Sequence, residues 1–121
     1  MLQTRTLSFP KSRRLTRTSE FERVKQGGTT QRGKFILLGV LAVQNSGACR
    51  AGLVTSRRLG SAVLRNRIRR RLSEIVRTHQ YNLREDLWIV LVARRDAASA
   101  SYHALEDVWL RLAKRASILA L

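Results

Sequence analysis

Between positions 57 and 71 the chain carries seven arginines, Arg57, Arg58, Arg65, Arg67, Arg69, Arg70 and Arg71, with no acidic residue among them. Through and beyond this run Leu64, Ile68, Leu72, Ile75 and Val76 recur at spacings of three and four. That period places them on one stripe of an α-helix running from about Ser61 to about His79. At 100° per residue Asn66, Arg70, Ser73 and Arg77 fall nearly opposite the stripe, Arg69 lies close beside them, and Arg65, Arg67 and Arg71 occupy its flanks. Like charges on adjacent turns repel one another and lower stability unless an outside polyanion neutralises them. The segment therefore reads as a helix that packs on one side and meets phosphate on the rest.

The whole chain agrees, with 24 Lys and Arg against 8 Asp and Glu and a formal net charge of +16. Nucleic acid is the expected partner. Twenty of the 24 basic residues are arginine, whose planar fork binds phosphate at two points and stacks on bases, where lysine acts as a mobile point charge. At 121 residues, 44% of them apolar, the chain fits one packed domain spanning residues 1–121. Cys49 is the sole cysteine, so one chain can assemble neither a disulfide framework nor a Cys-rich zinc site, and a buried, inert thiol is expected. The apolar runs Phe35 to Val43 and Leu87 to Ala93 are far short of the roughly 18 residues that cross a bilayer, and no membrane partner is expected. The first 19 residues lack acids, and residues 1–17 read as a flexible basic arm.

Ser19 followed by Glu22 fits a capping box, with Phe21 and Val24 on one face of a short helix that Gly27 and Gly28 should end. Lys34 to Val43 and Cys49 to Ser56 read as strands around an Asn45, Ser46, Gly47 turn, and the pair is expected to form an antiparallel hairpin. A short strand around Thr29 to Gln31 could join it. Leu87 to Val92 reads as a strand buried on both faces. Leu105, Val108, Trp109 and Leu112 mark a last helix from about Ser101 to about Ser117, acidic early and basic late, as the helix dipole favours. The expected class is α+β in the order helix, two or three strands, helix, strand, helix.

No catalytic constellation stands out. Glu85 with Asp86 and Glu106 with Asp107 are adjacent pairs that diverge on a strand or helix instead of converging on metals. His79 and His103 have no carboxylate or cysteine at ligand spacing, and Gly27 and Gly28 lack the Lys-Ser or Lys-Thr of a phosphate-cradling loop. No metal site in the protein is expected, and any chemistry belongs to a partner. Phe21 and Phe35 are expected to border a groove between helix and sheet with Lys25 and Lys34 nearby, an arrangement suited to single-stranded nucleic acid, although two core phenylalanines would give the same pattern. Trp88, Trp109 and Tyr102 read as packing residues.

The string TSRRLGSAVLRNRIRRRLSE, Thr55 to Glu74, resembles the signature of the protein subunit of bacterial ribonuclease P. SEFERV at Ser19 to Val24, RAGLV at Arg50 to Val54, and Asp86 to Ser101 resemble further segments of that family in the same order. The resemblance runs from about Leu15 to about Leu112. It implies a cytoplasmic ribonucleoprotein enzyme that removes the 5′ leader from precursor tRNA. The RNA subunit there holds the catalytic Mg2+ and performs the hydrolysis, while the protein is an accessory subunit that binds no cofactor of its own. It also implies that Arg57, Arg58, Arg65, Asn66, Arg67, Arg69 and Arg70 face the catalytic RNA, and that Phe21, Lys25 and Phe35 line a cleft for the leader. The implied fold is a small α/β sandwich like domain 2 of ribosomal protein S5, with three strands between the first two helices and a left-handed βαβ crossover. Three positions depart from the family pattern. Lys25 stands where an aromatic is common, Leu38 where some members carry tyrosine, and Ser73 where a further basic residue is frequent.

A structural ribosomal RNA-binding protein would show the same size and charge, without reason for the signature string. A DNA-binding regulator fits less well, because arginines all around the helix suit base reading poorly and no second helix lies close before it. DNA is not an expected partner.

Overall fold

The computed structural model describes residues 11–120. Three helices, α1 (Thr18–Gly27), α2 (Ala62–His79) and α3 (Tyr102–Arg115), flank four strands, β1 (Thr29–Arg32), β2 (Ile36–Ala42), β3 (Arg50–Val54) and β4 (Leu87–Ala93). The order along the chain is the expected one. The sheet order is β1-β2-β4-β3, with β4 antiparallel to β2 and parallel to β3.

This order corrects the expected hairpin between the second and third strands. The hairpin is made by β1 and β2, with Thr30 opposite Gly39 and Arg32 opposite Leu37, while β4 enters between β2 and β3. The Asn45 to Gly47 turn forms, with positive φ at Asn45 and Gly47, but its polar groups close on the approach to β4. Val43 N–H donates to Asp86 O at 2.9 Å, Asp86 N–H to Gly47 O at 2.7 Å, and Gly47 N–H to the Asp86 carboxylate at 2.9 Å. Held at its start, the apolar β4 takes the central place that a strand buried on both faces requires.

On one face α2 and α3 cover the sheet, and Ile36, Leu38, Ile89, Leu91, Ile68, Leu72, Ile75, Leu105, Trp109 and Leu112 form the main core. The α2 stripe is as the sequence predicts. Ser61 caps α2 through Oγ, which accepts from Leu64 N–H at 3.2 Å, and Ser101 caps α3 in the same way. Cys49 is buried in this core, and burial pushes its thiol up to about 12. On the other face the shorter α1 packs Val24 against a second cluster with Leu15, Trp88 and Val90.

The start of α1 differs from the expected capping box. Glu20 instead of Glu22 reaches back, its Oε1 accepting from Thr16 and Arg17 N–H at 3.0 Å each, and Ser19 lies inside the first turn. Of the expected arm, residues 1–10 lie outside the described residues. The remainder is docked on the sheet: Arg14 bridges Ala51, and buried Leu15 donates its N–H to Ala51 O at 2.9 Å. Arg50 ties this segment to α1. Its guanidinium donates to Arg14 O at 2.8 Å, meets Glu20 at 2.9 Å, and lies 5.3 Å from the Trp88 ring centroid.

Candidate nucleic-acid interface

Two surfaces carry most of the predicted residues. The first begins where β3 ends. Arg57 and Arg58 occupy a short 3-10 turn and are exposed. Gly60 then turns the chain into α2 with φ +135, where a Cβ would also lie 2.9 Å from Leu64 Cδ2, so glycine is required there. Along α2, Asn66, Arg67 and Arg70 are exposed and, with Val63 and Arg71, line a shallow hollow of about 440 Å³. Val63 is 71% exposed, an apolar side chain amid guanidinium groups.

The other arginines of α2 differ from Arg67 and Arg70 and from one another. Arg69 is exposed but donates to Thr55 Oγ1 at 2.7 Å, which aims it back over the end of β3. Arg65 is half-buried. Arg71 donates to Ala100 O at 2.7 Å and fastens the approach to α3 to α2. Arg77 is ion-paired to Glu74. Ser73, expected on the outward line, is half-buried and turns toward α1.

The second surface is a cleft of about 460 Å³ between α1 and the sheet. Phe21, Glu22 and Lys25 form its helical wall, and Leu37, Gly39, Val90, Val92 and Val54 its floor, with Thr30 on the far side. Strand register explains this floor. Directly paired residues show the same face of a sheet, so Leu37, Val92 and Val54 make one continuous apolar row across three strands. Arg32 stands opposite Leu37 at the end of that row and is exposed. Only the alternation of β1 relative to β2 places it there, and Arg32 was missed by reasoning from charge runs. Arg94, at the end of β4, donates to Gly33 O at 2.8 Å and braces the β1–β2 turn at the same open end.

Phe21 and Lys25 meet at the cleft as expected, and Phe35 does not. Its partly buried ring packs against the core on the opposite face, with Lys34 Nζ 5.4 Å from its centroid. Phe35 precedes β2, where strand alternation no longer dictates direction. Phe21 is seated closely, since a Cβ on Gly52 would fall 2.4 Å and 2.6 Å from its ring carbons. The ring thus rests against the bare backbone of β3, and the absent side chain at Gly52 makes the seat.

Neither surface holds a reactive constellation. The described residues contain no group of three His, Cys, Asp or Glu placed to hold a metal. His79 Nε2 lies 2.9 Å from Glu106 Oε2 and its ring stacks near Trp109, on the side away from the cleft. Burial pushes the Glu20 carboxyl up, but N–H donation from Arg17 and Thr16 and the Arg50 guanidinium outweigh this and hold it below the usual carboxylate range. The geometry offers exposed arginines along α2 and an apolar trough beside α1.

Comparison with known proteins gives concordant results. The ribonuclease P family model matches residues 9–117. The ribonuclease P protein component of Syntrophomonas wolfei is 32% identical over 112 residues, covering 91% of this chain and 92% of its own. That of Caldanaerobacter subterraneus is 35% identical, covering 84% and 87% respectively. Among solved structures, the RNase P protein of Staphylococcus aureus superposes with a TM-score of 0.83 at 23% identity, over 90% of this chain and 99% of that one. The Thermotoga maritima protein superposes with a TM-score of 0.76 at 22% identity, over 84% and 96%. The structural likeness establishes a shared α+β fold, a mixed sheet with flanking helices.

Proposed function

This chain belongs to the bacterial ribonuclease P protein family, and we propose that α2 docks the catalytic RNA while the cleft beside α1 takes the single-stranded 5′ leader of precursor tRNA. As the family's protein component it is the accessory subunit of a holoenzyme that cleaves that leader, with catalysis by the RNA subunit. The observation that carries the assignment of surfaces is the division of α2. Its apolar stripe is sealed in the core, while Asn66, Arg67 and Arg70 stand exposed with Arg57 and Arg58 beside them.

On this reading Arg57, Arg58, Asn66, Arg67 and Arg70 hold phosphates of the RNA subunit, and Arg65 supports them from its half-buried place, while Arg69, expected among them, is drawn by Thr55 toward the groove beside Phe21. Phe21 and Lys25 hold the leader over the apolar row, with Arg32 at its end; Phe35 has only a packing role. Because catalysis belongs to the RNA subunit, the metal ions of the reaction are assigned to that RNA, and the protein contributes binding and positioning. The parallel β3–β4 pair that α2 connects makes a βαβ crossover, and a left hand for it, of the kind in domain 2 of ribosomal protein S5, is part of the same proposal. We place the protein in the bacterial cytoplasm, where precursor tRNA is made.

The test is cleavage of 5′-labelled precursor tRNA at low magnesium with a bacterial ribonuclease P RNA, the purified protein, and each omitted in turn. Cleavage at the mature 5′ end only with both present is the expected result. No stimulation, with tight binding to ribosomal RNA instead, would refute it in favour of a structural ribosomal role.

A further inference from the structure

A groove of about 440 Å³ lies on the other side of Phe21 from the cleft, between the incoming segment, the free edge of β3 and α2. Arg14 and Thr16 form one wall and Arg69 and Ser73 the other, over a floor of Ala51, Leu53 and Val76. We propose that this groove is a second single-stranded RNA subsite, seating one unpaired nucleotide of the leader with its phosphate between Arg14 and Arg69. The inference rests on the leader-cleft reading above and extends it.

Charge is the first argument. Two arginines, Arg14 and Arg69, line the groove from opposite walls, and no acid lines it. Arg69 is already aimed, since one of its nitrogens is held by Thr55 Oγ1 at 2.7 Å and its other N–H groups remain available. The Arg14 side chain makes no hydrogen bond or ion pair among the described residues, whereas its backbone is fixed through Arg50 and Ala51. A phosphate between these two forks would receive charge-assisted bonds from both.

The edge of β3 is the second argument. Residues Arg14 and Leu15 occupy that edge only at Ala51. By the two-residue alternation of a strand, Leu53 turns its backbone groups to the same side. No backbone bond from outside β4 reaches Leu53 among the described residues. An unpaired edge backbone beside an apolar floor offers a base both hydrogen-bonding groups and a surface to lie on. Ser73 keeps the space open, for a longer side chain there would fill the groove.

Continuity identifies the occupant. Phe21 lines both the cleft and this groove, and its ring, backed onto Gly52, forms a partition between two seats. A strand leaving the cleft toward α2 passes over the exposed edge of that ring and enters the groove next. The leader is the RNA that occupies the cleft, so the leader is the RNA expected beyond it.

The experiment uses the assembled holoenzyme and precursors with leaders of graded length. Wild-type affinity should rise with leader length; if it does not, the leader-cleft reading itself fails before any variant is compared. Arg14→Ala and the groove-filling Ser73→Trp should each weaken binding of long-leader precursors about fivefold, with no change for mature tRNA or for assembly with the RNA subunit. Arg111→Ala removes a charge from exposed α3 and should change nothing. A photoreactive group attached to Thr16→Cys, with buried Cys49 unreactive, should crosslink to the leader. Loss that is equal at every leader length, weakened assembly, crosslinking to the RNA subunit alone, or no effect of Arg14→Ala would each overturn the proposal.

Discussion

Replacing Gly52 by alanine tests how Phe21 is held without touching Phe21 itself. The added Cβ would sit 2.4 Å and 2.6 Å from Phe21 Cε1 and Cζ and 3.1 Å from Leu15 Cβ. Carbon atoms rest about 3.5–4.0 Å apart, so the ring must retreat by about 1 Å or more. Overpacking of this kind costs about 1–3 kcal/mol. Alanine returns about 0.4–1 kcal/mol by restricting the unfolded chain, since Gly52 is in ordinary extended backbone. The net loss is about 0.5–2 kcal/mol, and at about 4 °C per kcal/mol for a domain of this size the melting temperature should fall by about 2–8 °C. Affinity for precursor tRNA should fall while assembly with the RNA subunit holds, because the displaced ring borders only the leader side. A double-mutant cycle isolates the cause. In the Phe21→Ala background the same Gly52→Ala change should be neutral or stabilising, giving a coupling of about 1–2 kcal/mol. Costs equal within about 0.5 kcal/mol in the two backgrounds would refute the reasoning, since the Cβ would then be meeting something other than the ring.

The arginines of α2 should separate by role. Arg67→Ala and Arg70→Ala should weaken assembly with the RNA subunit and each lower the log-log salt slope by about one, with little change in melting temperature. Arg71→Ala loses the bond to Ala100 O and should instead destabilise the protein by about 1 kcal/mol, measured by denaturant melts. Glu20, held below its ordinary value in the folded state, contributes stability above the unfolded carboxylate range that is lost as pH falls through the folded value. The melting-temperature gap between wild type and Glu20→Gln should therefore be full at pH 7 and close below about pH 4. With its thiol pushed up to about 12, Cys49 should react with a thiol reagent at pH 8 only at the rate of unfolding, checked by varying denaturant. Fast stoichiometric labelling of the native protein would contradict its burial.

Much of this protein is written locally. The stripe Leu64, Ile68, Leu72, Ile75 and Val76 and the caps at Ser61 and Ser101 act over three or four residues, so α2 and α3 could be read with their boundaries nearly right. The unbroken run of β4 announced a strand buried on both faces, and the acid-free arginine run announced a helix with a basic exposed side. What could not be read was pairing between distant segments. A period of two tells which residues share a face and not which strand lies alongside, so the hairpin of the second and third strands was as plausible as the insertion of β4 that Asp86 and the Gly47 turn bring about. The same limit governed the site. Nothing near Phe35 says that it turns to the opposite core, and nothing near Arg71 or Arg69 says that one is claimed by Ala100 and the other by Thr55. Helices, strand content and charge follow from local periodicity and composition. Which aromatic and which arginines share a groove is settled by folding, because burial and hydrogen bonding by distant segments select among side chains that look alike along the chain.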